Sequence, residues 1–273
     1  MDLPLVIDAV ELSKVLDDPN LIIIDLSSLD NYHAGHLPGA LHVEGSRLLF
    51  GQSPVPNKIP DERQLSELFS DCGITEETHV VVYDDQKGPL AGRFIWTMHC
   101  CGLKNASFLN GHLEAWKLAG FTYEQTPSNP TPSDINVTIT HPELIAQAED
   151  ILKGTQAKTL SIWDARTQAE YLGDKVVNAD HGGHLPGARW LEWTDTLAHD
   201  SPALLLSPDV IREQMESAGL DLEKPIVTHC QTHRRSGLTY IAGLYAGATM
   251  QCYDGSWFEW GNRNDLPYET GLS

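Results

Sequence analysis

This sequence predicts an α/β protein made of two copies of one domain, each a mainly parallel sheet flanked by helices. Two observations carry that expectation: an internal repeat, and short apolar runs alternating with stretches of helical spacing. The hexapeptide GHLPGA stands at residues 35–40 and again at 183–188, 148 residues on. Ile24-Asp25 aligns with Trp163-Asp164, and Tyr32 with Tyr171, at a spacing of 139, which puts a nine-residue insertion near 172–182 of the second copy. Further on, VVYDDQKGPLAGRFIW matches IVTHCQTHRRSGLTYI with Asp85 set against Cys230, and NGHLEAW at 110–116 matches DGSWFEW at 254–260. A repeat of this extent decides the architecture before local propensities are read.

Within each copy, residues 21–24, 80–83, 160–163 and 225–228 are short apolar runs of the kind that form strands buried on both faces. Between them, 62–69 and 209–218 carry apolar residues at helical spacing. Strands alternating with helices predict a parallel sheet, with ligands at the carboxyl ends of its strands. Residues 125–134 (QTPSNPTPSD) hold three prolines among small polar residues and read as a linker. The expected organisation is a first domain over 1–124, a linker over 125–136 and a second domain over 137–273, with 137–140 a short strand leading into it.

Charge narrows the function. Eighteen Lys and Arg against 38 Asp and Glu leave a formal net charge of −20. A nucleic-acid surface needs an extensive basic face, and anionic lipid repels such a chain, so neither is an expected partner. A small anionic ligand has to be drawn in by a local positive site. The N-terminal stretch carries acids early and no basic leader, and no apolar run approaches the length of a membrane span. Five cysteines, an odd number, read as reduced thiols, which places the chain in the cytoplasm.

The local positive site is the segment His229-Cys230-Gln231-Thr232-His233-Arg234-Arg235-Ser236. A buried strand ends, Cys230 follows at once, and a helix begins near Ser236. Unpaired N–H groups at that helix start, a loop whose amides converge, and the charges of His233, Arg234 and Arg235 all favour thiolate over thiol. Cys230 is therefore the expected nucleophile, with Gln231, Thr232, His233, Arg234, Arg235 and Ser236 the expected substrate-binding residues. In the first copy, Asp85 in place of the cysteine and Gly88-Pro89-Leu90 in place of the basic run predict a silent domain.

The remaining candidates read as packing. Cys100 and Cys101 end an amphipathic helix just before Gly102; Cys72 lies in a polar turn and Cys252 in a short strand, neither of these two with basic neighbours. His36 and His184 occupy matching positions although only one copy holds the cysteine, which favours a structural role. His181 and His184, three apart, lack the pattern of a zinc site, and neither a metal nor a cofactor is expected. Trp116 and Trp260 read as core; Trp257 and Phe258 are placed at the mouth of the site.

These residues carry a resemblance. Two GHLPGA segments, a strand-Cys-loop-helix and a closing DGSWFEW are together similar to the tandem-domain rhodaneses over nearly the whole chain, and HCQTHRRSGLTY resembles the loop of the bacterial thiosulfate enzymes of that family. The resemblance implies two domains, each around a five-stranded parallel sheet, the first inactive, and a persulfide on Cys230. Two departures stand out. The loop is neither the CRKGV type nor the CGSGVTA type of the mercaptopyruvate enzymes, and Glu170 occupies the position where those relatives carry a substrate-binding arginine. Arg166 reads as an ion-pairing scaffold residue.

The expected activity is sulfur transfer from thiosulfate to cyanide or a thiol through a Cys230 persulfide, in a chain acting as a monomer. Three readings remain beside it: a 3-mercaptopyruvate sulfurtransferase, a non-enzymatic persulfide carrier or scaffold, and a cysteine phosphatase or arsenate reductase. The last needs five residues between cysteine and arginine, whereas four separate Cys230 from Arg235.

Overall fold

In the computed structural model, which describes residues 2–200 and 202–271, the chain forms two compact units. The first is built from the chain up to Gly51, Ile59–Pro142 and Ala198–Leu205; the second from Gln52–Lys58, Glu143–Leu197 and the chain from Leu206 on. No helix among the described residues is long and apolar enough to cross a membrane.

The first unit runs β1 (Val6–Ile7), α1 (Ala9–Ser13), β2 (Leu21–Asp25), α2 (Leu29–Ala34), β3 (Leu41–His42), α3 (Glu62–Asp71), β4 (His79–Tyr83), α4 (Pro89–Cys100), β5 (Ala106–Leu109) and α5 (His112–Leu118). Its sheet is wholly parallel, in the order β1-β5-β4-β2-β3. The run His-Val-Val-Val-Tyr of β4 is buried along its whole length, which only a central strand covered on both faces allows. α3 starts on a capping box between Asp61 and Gln64 and buries Leu65, Leu68 and Phe69.

The second unit repeats the plan with α6 (Ala148–Ala157), β6 (Ser161–Asp164), α7 (Gln168–Leu172), β7 (Arg189–Trp190), α8 (Pro208–Ser217), β8 (Ile226–His229), α9 (Arg235–Tyr245), β9 (Met250–Cys252) and α10 (Ser256–Trp260). The order is β7-β6-β8-β9, again parallel, with β8 buried throughout. Among the described residues four strands form here rather than the five that the resemblance implies. Where β1 lines the first sheet, the second has a single parallel bridge from Ile145 to Cys252. A 3-10 turn ends at Leu144 and α6 starts at Ala148, so too few residues remain extended to make a ladder.

The strand expected at 137–140 does not form. The amides of Val137 and Ile139 donate to Ser66 Oγ (3.0 Å) and Glu62 Oε1 (2.9 Å) of α3, so this stretch is tied to the first unit by side chains. The proline-rich segment before it is also pinned: the Ser133 amide donates to the Ser70 carbonyl (3.0 Å), and Ser133 Oγ to that of Ile74 (2.5 Å).

The two GHLPGA segments do the same structural work. His36 stacks on Tyr32 at 3.9 Å and donates from Nδ1 to its carbonyl at 2.8 Å; His184 stacks on Tyr171 at 3.8 Å and makes the same 2.8 Å bond. Gly183 has φ +119°, and a Cβ there would lie 2.1 Å from the Glu269 carbonyl, so no other residue fits.

Strand register corrects the alignment of the copies by one residue. Asp25 pairs with Tyr83 and Asp164 with His229, which sets Asp84, not Asp85, against Cys230. Lys87 and His233, both at positive φ (70° and 53°), coincide in this register, as do Pro89 and Arg235 at the helix starts. The sequence hides the shift because α4 has 12 residues and α9 has 11, so matching Gly102 to Gly247 absorbs the difference.

Candidate active site

β8 delivers Cys230 to the carboxyl end of the central strand of its sheet, the position at which parallel sheets hold ligands. The loop then turns through His233, at positive φ, into α9. Cys230 is 1% exposed, and burial by itself pushes its thiol up. Against burial stand the charge of Arg235, the Ser236 hydroxyl, which donates to Sγ at 3.4 Å, and the backbone N–H groups of Ser236 and Thr232. These win, and the thiol lies below its ordinary value.

The first unit displays the same cradle filled differently. Asp84 is buried, and its carboxylate accepts from the amides of Gln86 (2.8 Å), Gly88 (2.8 Å), Leu90 (2.8 Å) and Ala91 (3.0 Å). A loop built to surround an anion has its own carboxylate inside, which leaves neither a nucleophile nor a vacancy. Asp84→Ala strands those donors, and the first unit should lose about 1–3 kcal/mol. Urea unfolding of the full chain measures this, and an unchanged midpoint would refute the assignment of Asp84 as the loop's internal anion.

Arg235 is not the free anion contact the sequence suggests. Its guanidinium makes a bidentate pair with Glu170, at 2.7 and 2.8 Å, and Glu170 is held down to about 2 although burial opposes its charge. Glu170 is also the third helical residue of the α7 capping box, accepting from the Thr167 amide (3.2 Å) and hydroxyl (2.7 Å). One carboxylate thus starts a helix and orients the cation that faces Cys230. The Arg234 side chain, by contrast, is exposed and makes no hydrogen bond or ion pair with another described residue; only its carbonyl is engaged, accepting from the Gly237 amide at 2.8 Å.

The other expected loop residues separate into two groups. Ser236 and the Thr232 amide face the sulfur. His233 is wholly buried behind the loop, bonded through Nδ1 to Ser236 Oγ at 2.7 Å, where it aims that hydroxyl. Gln231 turns away and donates to the Val177 carbonyl, tying the insertion after α7 to the loop. The side chains of His233 and Gln231 therefore brace the loop.

Beneath the loop lies a buried ion pair. Asp164, at the end of β6, is bound by Arg166 at 2.6 Å, and Arg166 also donates to the Gly183 carbonyl (2.7 Å) and lies 4.5 Å over the Trp257 ring. Asp164 is pulled down to about 2 against its burial. His229, pushed to about 4 by burial, stays neutral and donates from Nδ1 to the Cys230 carbonyl at 3.3 Å. Trp257 is packed at 1% exposure, so it does not line a mouth; its part is a backbone N–H donated to the Cys230 carbonyl at 3.0 Å. Phe258 is half-buried.

Ser256 is the residue sequence reasoning missed. Its hydroxyl accepts from the Cys230 amide at 3.4 Å, and its φ of 52° is unusual for serine. Residue type gave no signal for it, since the matching turn of the first unit is made by His112, also at positive φ (55°). Cys100 and Cys252 are buried; Cys72 and Cys101, also buried, are pushed up to about 12. His181 bonds Asn264 at 3.0 Å and stacks on Tyr268 at 4.8 Å, apart from the His184 stack.

A thiol held below its ordinary value at the end of a central parallel strand, in a duplicated α/β chain whose other copy fills the same cradle with aspartate, defines a class of cysteine-loop proteins. Within it, this chain belongs to the rhodanese-like family: the rhodanese-like domain matches residues 8–119 and 146–263. Among curated proteins it is 42% identical over 268 residues to a thiosulfate sulfurtransferase of Azotobacter vinelandii, covering 98% of this chain and 97% of that one. It is 40% identical over 270 residues to a thiosulfate sulfurtransferase of Pseudomonas aeruginosa, covering 98% of each. A 3-mercaptopyruvate sulfurtransferase of Escherichia coli K12 is 28% identical over 275 residues, covering 94% of this chain and 95% of that one. Among solved structures, an anaerobic ergothioneine biosynthesis enzyme from Chlorobium limicola shares the fold, with a TM-score of 0.87 and 22% identity over 98% of this chain and 71% of that one.

Proposed function

We propose that this protein is a thiosulfate sulfurtransferase that carries sulfane sulfur as a persulfide on Cys230. The observation that carries the reading is the thiol held below its ordinary value by Arg235, Ser236 and two loop amides. The relatives at 42% and 40% identity, named for thiosulfate, support the donor.

The chemistry is a double displacement. The Cys230 thiolate attacks the outer sulfur of thiosulfate, the sulfur–sulfur bond breaks, and sulfite leaves with its electron pair. The loop amides, the Ser236 hydroxyl and Arg235 stabilise the negative charge on thiolate and persulfide alike. Cyanide or a thiolate then takes the outer sulfur and returns Cys230 to thiolate. The cycle needs no separate base once the thiol is ionised, and it runs in a reducing compartment, in keeping with a cytoplasmic monomer. Arg234 meets the incoming dianion, while Gln231, Thr232, His233, Arg235 and Ser236 hold and charge the loop.

Glu170 bears on the alternatives. Its carboxylate, bonded to the loop arginine, repels thiosulfate and 3-mercaptopyruvate alike, so the choice between these donors rests on the relatives at 42% and 40% identity named for thiosulfate. Glu170 also occupies the guanidinium that a phosphatase needs for its oxyanion.

Intact mass before and after thiosulfate, and again after cyanide, tests the reading. One sulfur atom should be gained and then lost as thiocyanate, with Cys230→Ser gaining none. Uptake only from 3-mercaptopyruvate would move the assignment to that donor, and a stable persulfide without turnover would make the protein a carrier.

A further inference from the structure

The peptide groups on both sides of Cys230 are held by one short turn. The Cys230 amide donates to Ser256 Oγ, its carbonyl accepts from the Trp257 amide, and the Gln231 carbonyl accepts from that of Phe258 at 2.9 Å. The turn is strained at Ser256, which sits in the left-handed region without glycine's freedom. Such a conformation persists only where its surroundings over-determine it.

Two residues from much earlier in the chain supply that constraint. The segment Gln52–Lys58 folds as part of the second unit. Asn57, buried, donates from Nδ2 to the carbonyls of Asp254 (2.5 Å) and Gly255 (3.2 Å), the two residues immediately before Ser256. Lys58 Nζ lies 2.9 Å from Asp254 Oδ1, 3.4 Å from Glu259 Oε2 and 3.1 Å from Gln147 Oε1. Asp254 is wholly buried, and the Glu259 carboxylate closes over Gly255 so tightly that a Cβ there would lie 1.8 Å from Oε2. Lys58 is the cation paired with the buried Asp254 carboxylate, and removing one partner of such a pair strands the other.

We propose that Asn57 and Lys58 are positioning residues for Cys230. They clamp the backbone that sets the Ser256 turn, and through the Cys230 peptide that turn keeps the sulfur beside the Ser236 hydroxyl and the Arg235 charge. Neither touches the sulfur; they act through residues 254–258. The inference rests on Cys230 as the reacting atom, and it accounts for a catalytic loop that depends on a segment encoded within the other repeat.

The test uses the full chain with Lys58→Met, Lys58→Arg and Asn57→Ser. The Cys230 thiolate is titrated by ultraviolet absorbance with Cys230→Ser as blank, alongside kcat and KM for thiosulfate. Lys58→Met should move the thiol midpoint up by about one pH unit, which near neutral pH lowers kcat by up to about tenfold with KM nearly unchanged. Lys58→Arg should restore the midpoint, and Asn57→Ser should lower kcat by about threefold through the loosened turn. A folded Lys58→Met with an unshifted midpoint and wild-type kcat overturns the proposal. If Lys58→Met does not fold, Asn57→Ser decides in the same way. Should the unsubstituted protein take no sulfur from thiosulfate while the Lys58→Met midpoint still moves, the donor assignment fails and the positioning role stands.

Discussion

Arg235→Met is expected to lower thiosulfate turnover by about a hundredfold, the scale on which an oriented charge at a reacting centre acts. Arg235 is the largest of the influences that lower the Cys230 thiol against its burial, so without it burial prevails and the thiol moves upward. Thiolate is the reactive form, so turnover falls as pH drops through the thiol midpoint, and in Arg235→Met that limb moves to higher pH. Arg234→Met, which removes an exposed cation with no partner among the described residues, should change kcat/KM by no more than about threefold through weaker attraction of the dianion.

Arg235→Met also leaves Glu170 buried without its cation, and this separates chemistry from stability. Glu170 is lowered from 4.5 to about 2 in the fold. A depressed carboxyl contributes stability above its unfolded value, and the contribution is lost as pH falls from about 4.5 towards 2. Arg235→Met should abolish that acid limb and lower the unfolding midpoint at neutral pH. Adding Glu170→Gln should recover stability without recovering turnover. Recovery of both, followed by steady-state rates and denaturant unfolding, would mean that Arg235 serves the fold alone.

Arg166→Met is expected to have the largest effect on stability, about 3–5 kcal/mol, since removing one partner of a buried pair strands the other. Asp164 and Arg166 are both within 1% of full burial, and the arginine also holds the Gly183 carbonyl and covers Trp257. Trp257 in turn holds the Cys230 carbonyl, so activity should fail before global unfolding does. Arg63→Ala, which breaks an exposed pair to Glu67 at 2.7 Å, is the control and should cost under about 0.5 kcal/mol. Similar unfolding midpoints for the two variants would show that the Asp164 pair contributes no more than a surface contact.

Several features were legible in the sequence for physical reasons. Strands β4 and β8 announce themselves because a parallel strand covered on both faces is built around an apolar run, Val80–Val82 in one and Ile226-Val227 in the other. The histidine of GHLPGA could be assigned to packing because it recurs in the copy without a cysteine, and both copies stack it on tyrosine. The missing fifth strand of the second sheet was not legible, because one residue of extension at Ile145 looks the same as several. Nor was the register of the silent loop, since residue counting cannot tell an inserted residue in α4 from one in the loop before it.

Duplication, the parallel α/β class and the position of Cys230 at a strand end were thus determined by the sequence itself, because each is a pattern in local order that survives without coordinates. The pairing of Arg235 with Glu170, the burial of His233 and the clamp of Asn57 and Lys58 on residues 254 and 255 were decided only by tertiary structure. Charge type shows which residues can attract or repel, but the partner a charge takes is set by distance and burial between segments up to about 200 residues apart, as an ion pair's strength depends on both.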